Sequence, residues 1–473
     1  MKPPYLCALL AVTLSLIPGH VLGEGDGVER VKPRLASEAL RQPVPGLTGE
    51  DGLRFRVGQA LFERLWASAP ASTRSADGLG PLYNARSCLQ CHIRNGRGAL
   101  PEAGSRTVVV KLSVPGNTGP TEAVLPEPVY GTQMQTRGTA NQVEEGRLEL
   151  RYTERLVGLE GGDWVSLRRP EQHLVELGYG PLDGDAMSSV RIAPPLVGMG
   201  LLDAVAEEDI LAWADPGDHN GDGISGRPQR TWSRALSKEA LGRFGHKAIH
   251  ATLSDQNQSA FHEDLGLSVP LYPQAYGGCT TAQTLCLRGP HGDSPEHEGL
   301  EAGPRVVDEV LFYTRHLAVP ARRMAIPVDS PGDSNERSIV DRGEALFHGS
   351  GCAACHRPSL RLAENYTTGE STGGLAGRII HPYSDLLLHD MGEGLADERP
   401  EAKANGREWR TTPLWGLGYT GTVGPEAYLH DGRARTLLEA ILWHDGEARA
   451  SRDAVVALRS GDRDALITFL RSL

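Results

Sequence analysis

Two five-residue stretches constrain this chain more than anything else in it: Cys88-Leu89-Gln90-Cys91-His92 and Cys352-Ala353-Ala354-Cys355-His356. Each reads C-x-x-C-H, the attachment signature for a c-type haem. The spacing follows from the chemistry. Two thiols add across the two vinyl groups of a porphyrin and become thioethers, and the next residue must reach the iron with a neutral imidazole nitrogen. A single copy could equally be half of a zinc site or a redox dithiol. Two complete copies favour two covalently attached haem c groups, with His92 and His356 as proximal ligands.

The first residues suggest export, the setting in which such attachment occurs. Lys2 gives a positive start, Tyr5 to Ile17 an apolar run, and Val21-Leu22-Gly23 small residues for cleavage. Residues 1–23 therefore read as a signal peptide, the mature chain begins near Glu24, and the protein is expected to be periplasmic or secreted. The run is short for a membrane span, and no other stretch is long and apolar enough. Of the seven cysteines, Cys7 leaves with the signal and four belong to the haem motifs. Cys279 and Cys286 remain, and a local disulfide or a small metal site accounts for them. With 48 Lys+Arg against 60 Asp+Glu the formal net charge is −12, which argues against nucleic acid or an anionic membrane surface as a partner. The 57 glycines and 32 prolines predict many turns and long irregular segments, as in a chain wrapped around a cofactor.

Several stretches carry helical periodicity. Phe55 to Trp66 and Arg337 to Phe347 precede the two haem motifs, and both contain G-x-A-L-F, at Gly58–Phe62 and Gly343–Phe347. Further helices are expected over 203–213, Glu309 to Leu317, Arg435 to Trp443 and Arg463 to Leu470. A second echo follows each motif: Arg191-Ile-Ala-Pro194-Pro-Leu196-Val-Gly198-Met-Gly200 and Arg410-Thr-Thr-Pro413-Leu414-Trp-Gly416-Leu-Gly418. Repeated text in the same order points to internal duplication. Thr107 to Val114 and Arg147 to Tyr152 are β-branched or alternating, so a β-rich insertion is expected over about 106–170. The fold class that results is mainly α: two c-type cytochrome domains, 24–325 with the insertion and 326–473.

The C-terminal half, with Arg410-Thr-Thr-Pro413-Leu414, Tyr428-Leu-His430-Asp431-Gly432 and Thr436-Leu-Leu-Glu439-Ala440, resembles the bacterial di-haem cytochrome c peroxidases and the related enzymes that oxidise protein tryptophans. Over nearly the whole mature chain the similarity is closer to the di-haem oxidoreductases described as peroxidases or thiol oxidoreductases. The stretches that carry it include Pro126–Gly131, Ser166–Pro170, Leu177–Leu182, His381–Gly392 and Trp443–Ala448. In the peroxidases a methionine 14 residues beyond the H-D-G histidine ligates the C-terminal haem. Counted from His430, that position is 430 + 14 = 444, which is His444 here. The resemblance thus implies His444 as sixth ligand with a change from Met to His, and Met391 as the alternative. Bis-His ligation lowers the potential relative to His/Met.

After His92 no histidine occurs until His173, so the nearby distal histidine of the peroxidases is missing and the N-terminal haem is expected to be open to peroxide. The catalytic carboxylate of those enzymes falls in the region of Glu207 and Glu208. Glu207 is the candidate proton shuttle, and a solvated helix start is the competing reading. Asp218, Asn220 and Asp222, with the Ile224 carbonyl, resemble part of a calcium loop over 218–226. Position twelve is Gln229, so the motif is incomplete, and a tight Asx/Gly turn is the alternative.

These readings converge on an exported di-haem oxidoreductase of peroxidase type. A small redox donor, cytochrome or cupredoxin-like, would feed the C-terminal haem, and a small-molecule oxidant would react at the N-terminal one. A pure electron-transfer cytochrome and an oxidase of a thiol or organic substrate are the alternatives.

Overall fold

The computed structural model describes residues 30–100, 108–323, 333–364 and 375–473. The signal segment and Cys7 lie outside the described residues. Helix accounts for 30% of the structure and strand for 21%. That balance overturns the expected mainly α class with two clear cytochrome domains. The helices that matter for the site are α1 (Gly49–Glu63), α2 (Leu253–Leu265), α3 (Pro304–Arg315), α4 (Asp333–Gly349), α5 (Leu437–Trp443) and α6 (Ser460–Ser472). The expected helix over 203–213 breaks in two, Met199–Asp203 and Glu207–Leu211. Val205 between them leaves the helical path to bridge Leu362.

The strand content comes in small pieces. A three-stranded antiparallel sheet places β1 (Val108–Ser113) between β2 (Gln133–Met134) and β5 (Met187–Ile192). Val108, Val110 and Leu112 point to one side and pack with Met134, Val190 and Ile192, the alternation a half-buried strand requires. A separate ribbon pairs β3 (Arg147–Gly158) with β4 (Trp164–Val175) in unbroken register from Arg147↔Val175 to Gly158↔Trp164. Half of its residues are exposed and nearly all the others partly so. Leu167 near its tip is buried, and it packs with Val157 and Val165 in the cluster that holds Phe347 and Trp443. Arg463 pairs with Asp163 of the tip at 2.9 Å. The β-rich segment thus extends past residue 170, to Ile192.

The repeated text marks a repeated helix crossing. A Cβ at Gly58 of α1 would collide with the Glu309 carbonyl oxygen of α3, and a Cβ at Gly343 of α4 with the Ala465 carbonyl oxygen of α6. Glycine is needed at both because only it lets the backbones approach this closely. One turn on, the Phe of each motif lies between a cysteine-motif histidine and an aromatic of the crossing helix. Phe62 is 6.2 Å from His92 and 5.4 Å from Tyr313, and Phe347 is 6.4 Å from His356 and 5.4 Å from Phe469. Gly343→Ala should therefore force α4 and α6 apart and destabilise by about 1–3 kcal/mol. Chemical denaturation followed by circular dichroism measures this, and an unchanged midpoint would show that the crossing yields freely. Between the two crossings, Leu40, Val197 and Leu202 share one core with Leu387, Trp415 and Tyr419.

Candidate functional site

Each C-x-x-C-H stretch opens onto its own cavity. The N-terminal cavity is lined by Cys88, Cys91 and His92 together with α2 and the segment from Arg243 to His250. The C-terminal cavity is lined by Cys352, Cys355 and His356 together with α5, Met391, Trp409 and His430. The two are similar in size, each with about 1540–1680 Å³ free of protein atoms, mouth included. Pro194, His246, Arg410 and Thr412 line both cavities and so form the wall between them.

The histidines are held in one tautomer. His92 Nδ1 meets the Pro194 carbonyl at 2.9 Å and His356 Nδ1 the Tyr383 carbonyl at 3.0 Å. Each Nδ1–H donates, which leaves Nε2 as a free lone pair. Burial pushes both imidazoles down to about 4, so they are neutral and ready to ligate at neutral pH. His444 caps the C-terminal end of α5, and its Nδ1 donates to the Ala440 carbonyl at 2.8 Å. Its ring centroid lies 6.5 Å from that of His356, with the planes at 47°. With metal–imidazole bonds of about 2.0–2.1 Å and ring nitrogens about 1.1 Å from the centroid, two imidazoles on opposite sides of one metal would stand roughly 6.2–6.4 Å apart. The 6.5 Å between His356 and His444 is close to that spacing. Met391 lines the same cavity.

The four motif cysteines remain available to a group from outside the chain. Cys279 and Cys286 are disulfide-bonded, whereas the four motif cysteines are free. Burial pushes the Cys88 thiol up to about 12 and that of Cys352 up to about 11. Both thiols are therefore protonated at neutral pH when nothing is bound to them. Among the described residues one trio of metal-competent side chains clusters, Cys355, Asp385 and His389. It is short of a tetrahedral set, and its histidine is already engaged: His389 bonds Asp385 at 3.0 Å and Glu447 at 2.7 Å. Burial opposes its protonation, but the bonds to Asp385, Cys355 and Glu447 win and hold it well above the ordinary histidine range.

Other predicted residues fall elsewhere. Glu207 lines neither cavity. It is partly exposed at the start of its short helix and pairs with Arg230 at 2.8 Å, which matches the solvated helix start. In the 218–226 loop, Asp218 accepts from the Gly223 N–H, Asn220 from Asp222 and Asp222 from Ile224. These side-chain oxygens close Asx turns, and Ile224 reaches the C-terminal cavity.

The N-terminal cavity holds groups that motif reading missed. His250 lines it, as do Lys111, Gln256 and Glu263. Lys111 is ion-paired with Glu263. Burial opposes ionisation of Glu263, and the Lys111 ammonium outweighs it and holds the carboxyl below its usual range. Burial also lowers His250, so its imidazole is neutral. The only signal in the sequence was the residue type, since 158 positions separate His250 from His92 (250 − 92).

The family described as "Di-haem oxidoreductase, putative peroxidase" matches residues 30–118 and 176–473. The gap between the two matched segments contains the β3–β4 ribbon. No curated protein matches the sequence. Among solved structures, a hydrazine synthase of Kuenenia stuttgartiensis pressurised with 20 bar xenon aligns over 100% of both chains at 13% identity, with a TM-score of 0.32. A likeness that slight carries no argument. No helix among the described residues is long and apolar enough to cross a membrane.

Proposed function

Because the chain belongs to the di-haem oxidoreductase family, we propose that it is an exported, peroxidase-type enzyme with one haem tethered through Cys88 and Cys91 and the other through Cys352 and Cys355. The observation that carries this reading is the asymmetry of the two cavities. One presents a facing histidine pair, His356 and His444 at 6.5 Å. The other presents His92 together with a polar group of His250, Glu263 and Lys111. A six-coordinate haem suits electron transfer, and an accessible haem beside proton-handling side chains suits chemistry.

Haem iron, when bound, supplies the electrons that reduce hydrogen peroxide. The residues supply protons and order. Reduction to two waters takes two electrons and two protons. His250, neutral and facing the cavity, takes the proton from one peroxide oxygen and delivers it to the other, which leaves as water. The Lys111–Glu263 pair steadies the field around that transfer. Electrons enter at the C-terminal cavity from a small soluble donor, pass Trp409, which stacks on His430 at 3.7 Å, and cross the shared wall near His246, 6.5 Å from Trp409.

His250 also lends support to the rival carrier, because an imidazole in the N-terminal cavity could close the sixth position. Spectra of the purified holoprotein separate the two. The enzyme reading expects a high-spin component that shifts on adding cyanide or peroxide. Two low-spin haems inert to both would overturn it.

A further inference from the structure

Among the described residues two guanidiniums beside the cavities, Arg97 and Arg410, form no salt bridge, although the Asp385 carboxylate acts on Arg410 from a distance. Arg97 is 7% exposed and lines the C-terminal cavity. Its Nε–H has no acceptor among the described residues, and the Tyr428 ring lies 5.7 Å from its guanidinium. Arg410 lines both cavities, and it spends Nε on the Gly245 carbonyl and Nη1 on that of Thr411, each at 3.0 Å. Burial lowers both groups, Arg410 to about 10, against smaller opposing contributions from Tyr428 on Arg97 and Asp385 on Arg410. Nearby Arg191 shows what a satisfied buried arginine looks like here: it pairs with Asp397 at 2.9 Å and Glu401 at 3.5 Å. His246 stands among all three arginines, whose charges depress it to about 3 after burial itself.

A buried charge without an ion pair is costly, and such a charge facing a cavity calls for an anion from outside the chain. A guanidinium fork matches a carboxylate best. We propose that Arg97 and Arg410 form a carboxylate seat in and beside the wall between the cavities, filled in the holoprotein by haem propionates, with Arg410 serving both haems. The seat rests on the di-haem reading and adds to it a means of setting potential. Positive charge beside a haem favours its reduced form, so losing either arginine lowers the potential.

The test uses holoprotein with Arg97→Leu, Arg410→Leu and the corresponding Lys variants. Haem content is read first, because a chain without bound haem would overturn the di-haem reading itself. For loaded Leu variants, redox titration should show at least one midpoint lowered by about 59 mV or more, a tenfold change in the reduced-to-oxidised ratio. Unchanged midpoints overturn the seat. Should the Leu variants fail to fold, the Lys variants decide: losing the fork should shift the propionate bending band in resonance Raman spectra, and an unmoved band overturns the proposal. Midpoints of the unmutated protein that follow added phosphate at constant ionic strength would assign the seat to a soluble anion and overturn the propionate assignment.

Discussion

His444→Ala leaves the C-terminal haem with one axial imidazole, and its ferric spectrum is expected to change from low-spin to high-spin. The helix that carries the ligand should survive the change. Thr436 caps α5 by accepting from the Glu439 N–H, and Glu439 is held by Arg435 at 3.0 Å. Leu437, Leu442 and Trp443 stay buried. The imidazole contributes one hydrogen bond, to Ala440, and otherwise faces the cavity, so its removal opens a gap beside the iron without unseating its neighbours. Exogenous imidazole should restore the low-spin bands. A variant that remains low-spin would remove His444 from the coordination sphere, and a further change of Met391 would then show whether the thioether is the true ligand. The N-terminal haem should keep its spectrum, which makes it an internal control.

The haem motifs were legible because their chemistry is local: three side chains within five residues meet one cofactor. The G-x-A-L-F echo was legible for a related reason, since a close helix crossing needs glycine wherever it recurs. The fold class was misread because much of the strand content is in pieces such as Leu82–Tyr83 and Leu360–Arg361, too short to show a period of two. In β4, Pro170 argues against a strand, yet it sits opposite Tyr152 in a ribbon of two strands whose outer edges need no donor. Glu207 was chosen by position along the chain. In space, α2 and the turn from Phe244 to His250 bring Glu263 and His250 into the N-terminal cavity, a pairing that only long-range contacts create.

On the peroxidase reading, His250→Ala should lower kcat for peroxide about 10²–10⁴-fold, the usual range for a positioned acid–base group, with both haems still attached. The proton must pass from one peroxide oxygen to the other, and His250 offers the neutral imidazole that can accept and return it. Glu263 is less suited to begin the transfer, because its pairing with Lys111 depresses its carboxyl and weakens it as a base. The pH profile gives the sign. Burial lowers the His250 pKa below its usual 6.5, so the base form predominates at neutral pH. Activity should stay level as the pH falls through that usual value, drop only once the pH passes the lowered one, and lose this acid limb in the variant. The opposite result is equally readable. If His250 is the sixth ligand of the N-terminal haem, its removal turns that haem high-spin and speeds its reaction with cyanide and peroxide, and the proton-transfer role assigned to it fails.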